Sequence, residues 1–125
     1  MPEPDEITLT LPREREFHRV AHLVLGGLAV RLELTIEALE DLQVALDAVL
    51  DRAAADGEVT VSLSVGDGVL ETTVGPVELA EELDRDDDGE SLSLRRILDA
   101  VVDEVVLDGD RIRLVKELEE AGQHG

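Results

Sequence analysis

Ile36, Leu39, Leu42, Leu46, Val49, Leu50 and Ala53 recur at steps of three and four residues, so this stretch must bury one face of a long helix. Thr35 stands just ahead of the stripe, where its hydroxyl can accept a bond from a free backbone N–H. Glu37, Glu40 and Asp41 lie toward the positive end of the helix dipole. Asp56-Gly57 closes the segment, since glycine can take the left-handed conformation that ends a last turn. The spacing predicts a helix over 35–55, and the rest of the chain is read around it.

The length of 125 residues fits one domain with a modest core. That core comes from Leu, Val, Ile and Ala, because Phe17 is the sole aromatic. The absence of cysteine excludes disulfides and thiolate metal sites. No apolar run approaches the roughly 20 residues that span a bilayer, and the start, MPEPDEIT, is acidic where a secretory leader would be basic. These features give the expectation of a soluble cytoplasmic protein without membrane association. Net charge is -20, from 31 acidic and 11 basic residues. Such a field repels phosphate backbones, and no aromatic platforms are available for bases, so direct nucleic-acid binding is not expected. The same field either steers a basic protein partner or serves solubility.

Ile7 to Leu11 alternates at period two and reads as a strand ended by Pro12. From Glu14 to Leu32 the pattern turns helical, with Phe17, Val20, Ala21, Val24, Leu28 and Leu32 on one side. Gly26-Gly27 inside that helix costs about 1 kcal/mol per glycine relative to alanine, and close approach of a neighbouring helix or chain is the expected compensation. Val59 to Val65 and Leu70 to Val74 form strands joined by the turn Gly66-Asp67-Gly68. A short helix over 77–83, an acidic loop over 84–90, and a last helix capped by Ser91 or Ser93 follow, its stripe being Leu94, Ile97, Leu98, Val101 and Val102. Strands at 105–107 and 111–115 flank Asp108-Gly109-Asp110. The expected fold is α+β: a two-layer sandwich with a mixed, mainly antiparallel sheet and helices on one face only. Residues 7–118 form the domain, between a flexible N-terminus (1–6) and a flexible tail (119–125).

The run from Thr35 to Ala45, TIEALEDLQVA, resembles the second helix of the bacterial anti-sigma-factor serine kinases, or switch-protein kinases, which have the histidine-kinase-like (Bergerat) ATPase fold. Leu25, Gly27, Ala29, Arg31 and Thr35 extend the resemblance into the first helix, and 100–105 into the last. In that family Glu-Asp-Leu-x-x-Ala leads into Ser-Glu-Ala-x-x-Asn, whose glutamate is the general base and whose asparagine binds magnesium. Ungapped alignment places Ala48 on the glutamate and Arg52 on the asparagine. The family's Asp-x-Gly-x-Gly box, which holds the adenine amino group, falls on 74–78, with Pro76 at the aspartate and Glu78 at a glycine. Proline offers neither an N–H nor an acceptor side chain. The phosphate-binding Gly-x-Gly-Leu box falls on Ser91-Leu92-Ser93-Leu94.

The scaffold thus matches while the chemistry is missing. The resemblance implies a non-catalytic, anti-sigma-factor-like regulator, a pseudo-kinase that uses no ATP or magnesium. It would bind a sigma factor or a STAS-type anti-anti-sigma partner and act as a homodimer. Relatives contact both partners through an arginine on the first helix. His22 holds that position, and Arg19 and Arg15 lie on the same helix, making these three the candidate partner-binding residues. One alternative is a divergent ATP-dependent serine kinase that uses Asp47 or Asp51 for the missing groups. Each is one position off, and a helix turns about 100° per residue. Another is a structural or calcium-responsive module. Asp84, Asp86 and Asp88 with Gly89 match the first half of a calcium loop, but Arg95 occupies the position of its bidentate glutamate. His18 and His22, at i and i+4, have the spacing of a metal clamp but no evident third ligand.

Overall fold

The computed structural model describes residues 5–53, 57–80, 83 and 93–118. The acidic loop with its candidate calcium ligands Asp84, Asp86 and Asp88, together with Ser91 and the segments 1–4 and 119–125, lies outside the described residues. Five strands form one sheet: β1 (Asp5–Pro12), β2 (Glu58–Gly66), β3 (Val69–Gly75), β4 (Glu104–Asp108) and β5 (Arg111–Glu117), in the order β1-β2-β3-β5-β4. Every pairing among them is antiparallel. Among the described residues, the helices α1 (His18–Arg31), α2 (Ile36–Arg52) and α3 (Leu94–Val101) supply the second layer, and α2 packs against both α1 and α3. A single 3-10 turn, Arg15–Phe17, precedes α1.

Strand alternation decides which side of the sheet faces the helices. Leu11, Val59, Val61, Leu63, Leu70, Val74, Ile112 and Leu114 are buried, and with Leu42, Ala45, Leu46, Val49 and Leu50 of α2 and Leu94 and Leu98 of α3 they make one core. The other face of β1 and β2 carries hydroxyls, which pair across the strands: Thr10 Oγ1 lies 2.9 Å from Thr60 Oγ1, and Thr8 Oγ1 lies 3.4 Å from Ser62 Oγ. On these two strands that face is polar, as expected of an antiparallel sheet covered by helices on one side.

Local chemistry fixes the ends of the elements. Thr35 Oγ1 accepts from Ala38 N at 3.0 Å, and Ser93 Oγ accepts from Arg96 N at 3.2 Å, capping α2 and α3 as their sequences predict. Asp67 and Gly68 both have positive φ, +54° and +75°, the conformation a tight two-residue hairpin needs. Residues 77–79 of the expected short helix are irregular, and only Ala80 and Leu83 of the described residues there are helical. Asp41 does more than complement the helix dipole. Its Oδ2 lies 2.9 Å from Lys116 Nζ, which also donates to the Val101 carbonyl at 3.1 Å and so ties β5 to α2 and to the end of α3.

The face that α1 buries is turned slightly from the expected one: Phe17, Ala21, Leu28 and Leu32 meet the core as expected, while Leu25 and Ala29 are buried in place of Val20 and Val24. Ala21, Leu25 and Ala29 are buried, followed by Leu32, whereas Val20 is exposed and Val24 half-exposed. The helix is apolar on both sides, so hydropathy alone leaves its rotation undetermined. The small residues Ala21 and Ala29 face inward, where a short side chain keeps the helix close to the layer beneath. A Cβ added at Gly26 or Gly27 would meet nothing within 4 Å. No neighbour among the described residues therefore compensates for their cost.

Candidate functional site

The end of α2, the loop after β1, the segment leaving β3 and the β4–β5 turn converge on a cavity of about 440 Å³. Its lining is Arg13, Arg52, Ala53, Pro76, Val77, Glu78 and Asp110. Ala53 and Val77 are buried, while Glu78 and Asp110 are exposed. Val77 N donates to the Asp110 carbonyl at 2.7 Å, which fixes the turn against the strand exit. Arg52 Nη1 donates to the Ala48 carbonyl at 3.2 Å, one turn back along α2. Arg13 is anchored by its backbone, whose N–H donates to the Gly57 carbonyl at 2.9 Å, and its Nη1 reaches the Pro76 carbonyl at 3.4 Å.

Arg52, Pro76 and Glu78 are distant in sequence, yet the fold brings them together in this one cavity. In the alignment expected from the sequence, Arg52 falls on the magnesium-binding asparagine, Pro76 on the adenine-binding aspartate and Glu78 on a glycine of the same box. Ala48 is buried and does not line the cavity, and Ser93 serves as the cap of α3. Arg13, on the loop after β1, carries no signal in the sequence. Only the register of β1 beside β2 places it at the cavity, and no local pattern encodes that.

Two of the candidate partner residues, Arg15 and His22, occupy a different part of the molecule, the seam beside α2, while Arg19 is exposed. His22 Nε2 donates to Asp47 Oδ1 at 2.7 Å, His18 Nδ1 lies 3.6 Å from Asp51 Oδ1, and Arg15 Nε lies 3.7 Å from the same oxygen. Arg15 and His22 are thus turned to α2. Arg19 makes no ion pair with any described residue. The two carboxylates that would have to replace the missing kinase groups, Asp47 and Asp51, are engaged by α1 and do not line the cavity. Among the described residues, no group of three or more His, Asp or Glu side chains is placed to hold a metal ion.

On its solvent side α1 presents Val20, Leu23 and Val30 around Gly27, with Leu23 71% and Val30 81% exposed. Their spacing of 3, 4 and 3 residues aligns them in one stripe. Residues 18–31 contain no carboxylate, in a chain with 31 of them.

The chain is 34% identical over 77 residues to the serine-protein kinase RsbW of Listeria innocua, a match covering 56% of this chain and 49% of that protein. The RsbW of Listeria monocytogenes matches over the same shares. Over these 77 residues the chain is similar to the RsbW serine-protein kinases. This agrees with the anti-sigma-factor serine kinase family to which its motifs point. The chain spans about half the length of these curated RsbW relatives. A crystal structure of the RsbU and RsbW domains of Rv1364c from Mycobacterium tuberculosis matches 94% of this chain and 32% of that one, with a TM-score of 0.67 and 16% identity. At that identity the likeness to the RsbW-containing structure concerns the fold, which is the expected two-layer α+β sandwich. No protein-family model matches the chain. No helix among the described residues is long and apolar enough to cross a membrane.

Proposed function

We propose that this RsbW-like chain is a non-catalytic regulator of the anti-sigma type, which works in the cytoplasm by holding a sigma factor or a STAS-type anti-anti-sigma partner and acts as a homodimer. The observation that carries this reading is the outward face of α1. An apolar stripe set round a glycine, on a helix without carboxylates, is poorly suited to water and well suited to another protein surface. The guanidinium of Arg19 beside it, without an ion pair among the described residues, suits an acidic or amphipathic partner. His22 has a supporting role in this reading, since it ties α1 to α2, and Arg15, on the turn before α1, faces Asp51 from solvent.

The rival reading, a kinase that still uses ATP, needs an acceptor for adenine and a ligand for magnesium. Pro76 cannot accept a bond through its side chain, and Arg52 carries the same sign of charge as the metal. Titration calorimetry with ATP or ADP and magnesium is therefore expected to give no heat above dilution. Micromolar affinity would restore the enzyme reading. A pull-down from the native host tests the other half, and recovery of neither a sigma factor nor a STAS protein would leave the kinship as one of fold only.

A further inference from the structure

Among the described residues, the exposed large apolar side chains all lie on two helices: Val20, Leu23 and Val30 on α1, Ile36 and Val44 on α2. The two helices present them in opposite electrostatic settings. The other exposed positions of α1 are Arg19, Gly27 and Arg31, without a carboxylate, whereas those of α2 are Glu37, Glu40 and Asp51, without a cation. No ion pair among the described residues involves Arg19, Arg31, Glu37 or Glu40. One outer face is therefore basic and apolar, the other acidic and apolar, side by side on the same layer.

Their register makes the two faces fit each other. The contacts of His22 with Asp47 and of His18 with Asp51 fix α1 and α2 antiparallel. Both helices rise equally per residue, so Val44 is level with the middle of the segment Leu23–Gly27. Arg31 is level with the turn that carries Glu37 and Glu40, and Arg19 with Asp51. A two-fold axis parallel to the helices lays α1 of one copy on α2 of another and keeps these levels. Val44 of the second copy then enters the hollow beside Leu23, where the backbone of Gly27 is bare. Arg31 meets Glu37 and Glu40 of that copy, Arg19 meets its Asp51, and the symmetry makes every contact twice.

Gly26 and Gly27 supply the independent observation. Within one copy, a Cβ at either position would meet nothing within 4 Å. In the paired arrangement a neighbouring helix crosses over them, which is the close approach their presence in a helix calls for.

We infer that the outer faces of α1 and α2 join two copies of this chain, α1 of each lying on α2 of the other. This pairing rests on the homodimer of the reading above and names the surfaces that form it. The acidic, amphipathic surface that suits Arg19 and the apolar stripe is then carried by the chain itself.

Sedimentation velocity over a concentration series tests the pairing on the full chain, with Arg19→Glu/Arg31→Glu as one variant and Glu37→Arg/Glu40→Arg as the other. The unmodified chain is expected to sediment as a dimer. Each variant alone should have its dimer weakened at least tenfold, because like charges then face each other in both contacts. An equal mixture of the two variants should recover the dimer, since both contacts again pair opposite charges, and that recovery also shows that both variants are folded. If α1 met α1 instead, the Glu37→Arg/Glu40→Arg protein would stay dimeric. That result, a dimer kept by both variants, or no recovery from two variants whose melting curves show them folded, would overturn the inference and leave the homodimer reading standing. An unmodified chain that stays monomeric throughout the series would overturn both.

Discussion

Leu23→Glu combined with Val30→Glu is expected to weaken binding to the captured partner by at least about 100-fold, near 2.7 kcal/mol. Both side chains are among the most exposed apolar groups of the chain, so they contribute little to its own core. Each is replaced by a residue of good helix propensity, and the melting temperature should move by only a few degrees. Gly27→Ala sharpens the test. Nothing lies within 4 Å of the added methyl, and α1 is regular there, so alanine should stabilise the isolated chain by about 0.5–1 kcal/mol. If another helix approaches closely over Gly27, the same methyl must also weaken association. Sedimentation velocity on the three proteins reports whether the stripe joins two copies, and binding to the captured partner reports whether it serves that protein. Affinity and oligomeric state both unchanged in the double variant would remove this face from any interface.

The largest loss of stability is expected at the centre of α2. Leu46 is 1% exposed and belongs to the core cluster that α2 shares with the sheet and α3. Leu46→Ala removes its packed methyl groups and leaves a void that its neighbours fill only in part, at a cost of about 2–5 kcal/mol. A domain of this size has roughly 5–15 kcal/mol in all. Urea denaturation should show the midpoint falling with the slope unchanged. The exposed Ile36→Ala, at the first position of the same helix, should cost well under about 1 kcal/mol. A comparable loss at the two positions would mean that α2 is not the centre of the core.

These two experiments bear on a helix that hydropathy reads well and one that it reads poorly. In α2 the stripe has a polar opposite face, so its phase is unique, and only Ile36 is misplaced outward. In α1 apolar residues surround the axis, and the inward face is settled by packing with α2 and by the reach of His18 and His22 to Asp51 and Asp47. The end of α1 is illegible for a different reason. Glu33 holds the left-handed position, φ +58°, while Leu34 N donates to the Ala29 carbonyl at 2.9 Å and Glu33 N to that of Val30 at 3.3 Å. This closure normally announces itself by glycine. The cavity is half legible. Arg52, Pro76 and Glu78 are marked by their departure from the family pattern, but Arg13 arrives only through strand pairing.

Lys116 is the one lysine in the sequence. Its amine is held by Asp41 and the Val101 carbonyl, with the side chain 18% exposed. Amine-directed acylation of this side chain is expected to be slow while these two groups hold the amine, and faster in Asp41→Ala. The labelling rate at this single residue thus reports how firmly Asp41 and the Val101 carbonyl keep its amine from solvent.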